Sequence, residues 1–208
     1  MEQRVTFPAG DVTLEGLLSL PSKPAQAGVV VCHPHPLRGG DMNNTVVSAL
    51  ADAFQQAGMA TLRFNFRGVG GSTGTHDDGN AEQDDVRSAV TFLLGRQSPS
   101  TVVVAGYSFG SLVGMRAGAA DPRVDKLIGV ALPIAARDVS FLHNAAKPKL
   151  LISGDQDDYS PLSGLQALLA KLPAPASLAV IGGADHFFAG QEDEVARAAL
   201  AFMADPAR

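Results

Sequence analysis

The amino-acid sequence predicts an α/β fold, in which a mostly parallel sheet is covered by helices on both faces. Short apolar runs rich in β-branched residues alternate along the chain with longer segments of helical periodicity. Alternation of this kind is typical of parallel strands joined by helical crossovers. The length of 208 residues, 46% of them apolar, suits one domain that spans residues 1–208 and buries a sizeable core.

The first two predicted strands, residues 4–8 and 12–20, differ from the others because a tight turn joins them. The turn is Ala9-Gly10-Asp11, and glycine beside aspartate is typical of a hairpin connection. Strands joined in this way run antiparallel. We therefore expect an antiparallel hairpin at one edge of the sheet.

Six further strands and five helices follow. The strands are predicted at residues 28–32, 60–64, 101–105, 126–132, 150–153 and 177–181, and the helices at 44–57, 81–94, 108–119, 161–172 and 192–203. Only residues 133–149 separate the strand at 126–132 from the next one. That length allows a loop or a short helix but no folded cap, so the sequence predicts an open, lidless site.

The segment Gly106-Tyr107-Ser108-Phe109-Gly110 carries the strongest chemical signal. It has the pattern G-x-S-x-G and lies between a predicted strand and a predicted helix, where such a serine sits on a sharp, strained turn with its Oγ exposed. The helix that follows adds a partial positive charge where an oxyanion would form. The alternative interpretation is a flexible glycine turn with an incidental serine.

Acidic and histidine residues follow the serine in the order that a Ser-His-Asp site of this kind needs. The strand at 150–153 ends in Gly154-Asp155-Gln156-Asp157-Asp158, and the strand at 177–181 ends in a loop that contains His186. Each candidate lies beyond the carboxyl end of a predicted strand, which is the sheet edge where ligands bind in open α/β folds. We therefore predict Ser108 as nucleophile and His186 as base.

At these residues the chain resembles the α/β-hydrolase superfamily, most closely the small, lidless bacterial serine hydrolases with a His-Pro-His-Pro segment, which are similar to dienelactone hydrolases and esterases. The resemblance covers nearly the whole chain. It rests on the serine motif, the two later loops and the segments Val29–Pro36, Gly39–Asn44 and Arg63–Gly68. The family pattern G-x-x-D…P points to Asp157 as the third member of the triad, with Asp155 as the main rival.

An oxyanion hole needs two backbone N–H groups that face the developing negative charge. The first is predicted at Phe109, directly after the serine. The second is predicted in His33-Pro34-His35-Pro36-Leu37, where the two prolines have no N–H to donate. Leu37 or His35 remains, and Leu37 is preferred because the prolines on both sides of His35 would present the Leu37 amide at the turn.

Composition excludes several other classes of function. A formal net charge of −5 argues against nucleic-acid binding, and a single cysteine excludes an internal disulfide framework and suits the cytoplasm. The N-terminus has no apolar signal region, and no apolar run reaches transmembrane length. His33 and His35 have a spacing found in metal sites, but no further ligand accompanies them in sequence, so we expect no metal and no cofactor.

The sequence therefore predicts a serine hydrolase of small-molecule carboxylic esters or thioesters. An acyltransferase, a perhydrolase or a peptidase with the same triad remains an alternative, as does a non-catalytic binding protein that keeps the fold. Short to medium acyl chains with little charge are preferred, with Arg38 and Arg67 the only basic residues that could meet a substrate carboxylate. The oligomeric state stays open, and a homodimer is compatible with the sequence. The expected apolar walls of the pocket are Leu37, Phe109, Pro133, Phe141 and Phe187.

Overall fold

The core of the fold is an eight-stranded sheet within residues 2–205, the part of the chain that the computed structural model describes. Its strands are β1 (Glu2–Ala9), β2 (Val12–Ser19), β3 (Ala27–Cys32), β4 (Ala60–Phe64), β5 (Thr101–Tyr107), β6 (Lys126–Val130), β7 (Lys149–Gly154) and β8 (Ala176–Ile181). Their order across the sheet is β1-β2-β4-β3-β5-β6-β7-β8. Met1 and residues 206–208, the ends of the predicted domain, lie outside the described residues.

The N-terminal hairpin is antiparallel, as predicted, and it forms one edge of the sheet. β1 pairs with β2 from Glu2 opposite Ser19 to Ala9 opposite Val12, so that Gly10 and Asp11 form the turn. Gly10 has a φ of 63°, in the left-handed region that glycine adopts without strain. β2 pairs antiparallel with β4, and every other pairing in the sheet is parallel. The predicted fold class is therefore confirmed.

Five α-helices cover the two faces of the sheet. They are α1 (Thr45–Gln56), α2 (Glu82–Leu94), α3 (Phe109–Ala120), α4 (Leu162–Leu169) and α5 (Glu192–Ala204). α1 and α5 pack over one face in an apolar cluster that includes Phe54 and Phe202, and α2, α3 and α4 pack over the other with Leu93 and Leu165. The central strand β3 is buried along its whole length, as its β-branched sequence predicts.

The segment between β6 and β7 contains a single short 3₁₀ helix, Ser140–Asn144, and no cap over the carboxyl end of the sheet. β6 ends at Val130, two residues earlier than predicted, because Ala131 has a φ of 48° and leaves the extended conformation. Across residues 2–205, no helix combines the length and the apolar character needed to cross a membrane.

Candidate active site

Ser108 lies on a strained turn between β5 and α3. Its backbone has φ 54° and ψ −118°, a conformation that an L-residue rarely adopts outside functional sites. The turn is held by the Ser108 N–H, which donates to the carbonyl of Val130 at 2.8 Å, and by the N–H of Ser111, which donates to the Ser108 carbonyl at 3.0 Å. This geometry lifts Oγ off the end of β5 and directs it into a cleft.

Two glycines are needed here because the backbone passes too close to itself for a side chain. A Cβ atom on Gly106 would lie 2.2 Å from the carbonyl oxygen of Gly110, and a Cβ on Gly110 would lie 2.4 Å from the carbonyl oxygens of Cys32 and His33. Heavy atoms do not approach this closely without displacement of the backbone. The G-x-S-x-G pattern is therefore a packing requirement that joins β3, β5 and α3.

The structure brings the predicted serine, histidine and aspartate into one hydrogen-bonded chain. The Oγ of Ser108 lies 2.9 Å from Nε2 of His186, and Nδ1 of His186 lies 2.9 Å and 3.0 Å from the two carboxylate oxygens of Asp157. Since a carboxylate only accepts hydrogen bonds, Nδ1 carries the proton and Nε2 is free to accept from the serine. Both Asp157 and His186 are buried.

Asp157 and Asp155 have different partners. Besides His186, one carboxylate oxygen of Asp157 accepts the N–H groups of Tyr159 at 2.8 Å and Ser160 at 3.0 Å. Asp155 instead accepts the N–H of Gly183 at 2.8 Å, which ties the loop after β7 to the loop after β8. Asp157 is thus the residue that meets the imidazole, and Asp155 holds the two loops together.

A further contact fixes the loop that carries the histidine. The hydroxyl of Tyr107, the residue before Ser108, donates to the backbone carbonyl of His186 at 2.8 Å. The ring of Tyr159 also lies 4.6 Å from the ring of His186, centroid to centroid. The imidazole therefore has two tyrosine neighbours that no sequence pattern singles out.

The loop after β3 is built around a buried, neutral His33. Its Nδ1–H donates to the carbonyl of Pro34 at 2.7 Å, and its Nε2 accepts the N–H of Phe66 at 3.0 Å. Burial lowers the pKa of His33 to about 4, against smaller opposing effects of the Pro34 carbonyl and Asp41. His33 therefore holds the loop in place and does not share a site with His35.

The two candidate amides for the second oxyanion position differ in their environment. The N–H of Leu37 donates to Nδ1 of His35 at 3.2 Å, and the Leu37 side chain is 76% exposed and lines a different cleft from Ser108. Within residues 2–205, the N–H groups of His35 and Phe109 have no protein acceptor. His35 also lines the cleft that contains Ser108. The environment favours His35 over Leu37.

The cleft around Ser108 has a volume of about 310 Å³. Phe109, Pro133 and Phe187 line it as expected, whereas Leu37 and Phe141 do not. The other lining residues are Pro34, His35, Arg38, Gly39, Gly40, Asn44, Tyr107, Ser108, Leu112, Ala136, Arg137, Tyr159 and His186. Among residues 2–205, the lining thus combines an apolar surface with two arginines and contains no carboxylate.

Arg67, the other basic residue considered from sequence, does not line the cleft of Ser108. Its guanidinium lies 2.6 Å from the carboxylate of Asp85, which is fully buried, and its backbone N–H donates to the same carboxylate at 3.0 Å. Desolvation raises the pKa of Asp85, and the hydrogen bonds from Arg67 oppose that rise. Arg67 thus links the loop after β4 to α2.

His76, on the long loop after β4, lies close to His35. Its Nδ1 is 2.7 Å from the carboxylate of buried Glu82, and its ring centroid is 5.1 Å from that of His35. His35, His76 and Asp78 each bring one ligand atom within 4.8 Å of the others. Arg137 already binds both carboxylate oxygens of Asp78, at 2.8 and 3.0 Å, so a metal cation would have to compete with a guanidinium. We assign no metal to this cluster.

Known proteins match this chain over most of its length. The family model described as Hydrolase_4, serine aminopeptidase S33, matches residues 23–141, more than half of the chain. An uncharacterized protein of Rickettsia prowazekii (strain Madrid E) is 30% identical over 204 residues, which cover 94% of this chain and 86% of that protein.

Two solved structures are similar in both fold and sequence. An α/β serine hydrolase homologue from Coxiella burnetii is 35% identical with a TM-score of 0.87, and the match covers 98% of this chain and 97% of that one. A serine hydrolase without a lid from Xanthomonas campestris is 31% identical with a TM-score of 0.87, over 97% and 93% of the two chains. From the fold, the matched family and these relatives together, the chain belongs to the α/β-hydrolase superfamily, in the family described as serine aminopeptidase, S33.

Proposed function

We propose that this protein hydrolyses carboxylic esters or thioesters through an acyl-enzyme on Ser108. The observation that carries the proposal is the hydrogen-bonded chain from Ser108 through His186 to Asp157, with distances of 2.9 Å at both links. A serine hydroxyl is a weak nucleophile at neutral pH, and a base at this distance can remove its proton as it attacks. His186 then returns that proton to the leaving alcohol or thiol, and Asp157 stabilises the imidazolium between the two steps.

The tetrahedral intermediate needs donors for its negative oxygen, and we propose the N–H groups of Phe109 and His35. Phe109 is the first residue of α3, so its N–H has no acceptor inside the helix. The helix dipole adds partial positive charge at the same point. Of the two residues considered for the second donor, His35 is preferred because the Leu37 N–H already donates to the His35 ring.

The name of the matched family raises the possibility of aminopeptidase activity for this chain. An aminopeptidase must bind the positively charged amino terminus of its substrate, for which a carboxylate beside the nucleophile is the usual partner. In the part of the chain that the structure describes, the cleft of Ser108 is lined by Arg38 and Arg137 and by no aspartate or glutamate, so its charge opposes such a substrate. The open cleft also gives water access to the acyl-enzyme, which favours hydrolysis over acyl transfer.

We propose the cytoplasm as the compartment, because the one cysteine is an unpaired, buried thiol.

The test is hydrolysis of p-nitrophenyl esters from acetate to dodecanoate by the wild type and by Ser108→Ala. Loss of at least about 10³-fold in kcat/KM in the variant is expected for removal of the nucleophile. Thermal unfolding of the same samples shows whether the variant keeps its fold. Labelling of Ser108 by a fluorophosphonate would support the same conclusion without dependence on a particular ester. A Ser108→Ala protein as active as the wild type would refute the proposal.

A further inference from the structure

The cleft of Ser108 contains one arginine without an acidic partner. Arg38 lines the cleft, and within residues 2–205 its guanidinium forms no ion pair and no hydrogen bond. Arg137 lines the same cleft, but its charge is offset by Asp78, which it binds with two nitrogens. Since no aspartate or glutamate among the described residues lines the cleft, the charge of Arg38 is left uncompensated there.

The backbone that carries Arg38 is held firmly in place. Arg38 ends the 3₁₀ helix Pro36–Arg38, and its N–H donates to the carbonyl of His35 at 3.0 Å. The next two amides, of Gly39 and Gly40, donate back to Pro36 and His35 at 3.2 and 3.1 Å. A Cβ atom on Gly40 would lie 2.2 Å from the carbonyl oxygen of Pro34, so this turn is tightly packed. The guanidinium therefore extends from a fixed point, three residues after the proposed oxyanion donor.

The positive charge of Arg38 acts on His35, which lines the same cleft. The pKa of His35 is lowered, first by its burial and then by the charges of His76, Arg137 and Arg38, with Asp78 as the opposing charge. Arg38 and Arg137 therefore both contribute a positive potential at His35, whose N–H is the proposed oxyanion donor. A positive potential at this place favours a ligand that carries negative charge.

Resting on the proposed hydrolase function, we propose that the natural substrate is an ester or thioester that also carries a carboxylate, and that Arg38 binds this carboxylate. Such substrates include monoesters of dicarboxylic acids, and hydroxybenzoates that are acylated on the phenolic oxygen and keep a free carboxylate. The planar guanidinium can donate two parallel hydrogen bonds to a carboxylate, and Arg38 has no protein partner to give up in exchange. This substrate class differs from the weakly charged acyl chains that the sequence suggested.

The test compares kcat/KM for esters that differ only in charge. On the acyl side, mono-p-nitrophenyl glutarate is compared with p-nitrophenyl pentanoate. On the alcohol side, 4-acetoxybenzoate is compared with its methyl ester. In at least one pair, Arg38→Gln should lower the ratio of anionic to neutral kcat/KM by about 3- to 10-fold, the range for one partly exposed charge-assisted contact. Arg38→Lys, which keeps the charge, should restore part of the ratio.

Arg197 provides the matched control, because it is an exposed arginine on α5 outside the cleft. Arg197→Gln changes the net charge by the same amount and should keep the wild-type ratio. A ratio within about twofold of wild type for Arg38→Gln in both pairs would overturn the proposal, as would an equal fall in Arg197→Gln, since that would indicate only a long-range charge effect.

The substrate proposal and the hydrolase proposal can fail separately. Turnover of the neutral esters, and its loss in Ser108→Ala, test the hydrolase function alone. The ratio of anionic to neutral kcat/KM is taken within one variant, so it tests the substrate proposal independently of the overall activity of that variant. Binding of glutaramate, which carries one carboxylate, against the uncharged diamide glutaramide, measured by calorimetry on Ser108→Ala and on Ser108→Ala/Arg38→Gln, requires no turnover. Preferential binding of glutaramate that disappears with Arg38 supports the proposal, and equal binding of the two compounds by both proteins contradicts it.

Discussion

The hydroxyl of Tyr107 donates a 2.8 Å hydrogen bond to the backbone carbonyl of His186, so the residue before the proposed nucleophile anchors the loop that carries the proposed base. The phenol is buried, and its pKa is raised by desolvation and further by the negative charge of Asp157. Tyr107 therefore stays protonated and remains a donor at neutral pH. The distance between serine and imidazole thus depends on a contact made outside the triad.

Tyr107→Phe should reduce both stability and activity. The substitution leaves the carbonyl of His186 buried without a donor, at a cost of about 1–3 kcal/mol in the free energy of unfolding. The loop after β8 should also lose part of its position, so kcat should fall about 3- to 30-fold while KM changes little, because a small misplacement of a catalytic group lowers the rate. Urea unfolding and ester kinetics measure the two effects. A variant with wild-type kcat would show that the anchor has no role in the position of His186.

Asp157→Asn and Asp155→Asn should separate the two acidic residues of the loop after β7. Asparagine at 157 stabilises the wrong tautomer of His186 and leaves the imidazolium without a counter-charge, so kcat should fall by about 10⁴-fold. Asparagine at 155 can still accept the N–H of Gly183 through its amide oxygen, so the loss should stay below about tenfold. Ester kinetics on the two variants measure the difference. Equal losses would mean that the hydrogen bonds to His186 do not identify the functional acid.

The proposed triad could be anticipated from sequence because each of its residues has a local signal. Ser108 lies in a five-residue pattern, and Asp157 and His186 each follow a short apolar strand. Parallel strands end at the same edge of a sheet, so residues far apart in sequence are brought together there by topology alone. Two other features also had local signals. The tight turn after β1 predicted the antiparallel hairpin at the edge of the sheet, and the short segment between β6 and β7 predicted the absence of a cap there.

Side-chain directions, by contrast, carry no such signal. Pro34 and Pro36 restrict the φ angles of their loop. The sequence does not show, however, that the Leu37 N–H turns back and donates to the His35 ring. The approach of His76 to His35 depends on the path of the long loop after β4, which a buried acid, Glu82, fixes from α2. The ring of Tyr159 contacts that of His186 at a tilt of 45°, and the N–H of Tyr159 is held by Asp157. Each of these contacts is tertiary, and none leaves a periodic pattern in the chain.

Gly110→Ala should destabilise the protein although the added group is a single methyl. The new Cβ would lie 2.4 Å from the carbonyl oxygens of Cys32 and His33, at the end of β3, and backbone atoms cannot yield as a flexible side chain can. We expect a loss of about 3 kcal/mol or more in the free energy of unfolding, at the upper end of the range for overpacked sites. Gly182→Ala is the matched control, since a Cβ there meets nothing within 4 Å. Thermal melts of both variants test the prediction, and equal melting temperatures would contradict it.

Stability should also depend on pH through His33. In the folded protein the pKa of His33 is about 4, below the value of 6.5 for a free histidine, because protonation would place a charge in the interior and remove the acceptor for the Phe66 N–H. Between these two values the unfolded chain binds more protons than the folded one, so acid favours unfolding. The stability contributed by neutral His33 is thus fully present above pH 6.5 and is lost as the pH falls toward 4.

A variant at position 33 isolates the contribution of His33 to the pH dependence of stability. From pH 7 to pH 5, His33 alone should remove about 2 kcal/mol from the free energy of unfolding. In His33→Gln the side chain at position 33 does not titrate in this range. The free energy of unfolding of this variant should therefore fall by about 2 kcal/mol less than that of the wild type over the same interval. Its stability at pH 7 should already be lower, because the packing of the imidazole ring is lost. His143→Gln, at an exposed position, should follow the wild type. Urea unfolding of the three proteins at both pH values gives the comparison. Parallel pH profiles for wild type and His33→Gln would mean that His33 takes up a proton in the folded state as readily as in the unfolded chain, which is incompatible with the buried contacts of its two ring nitrogens.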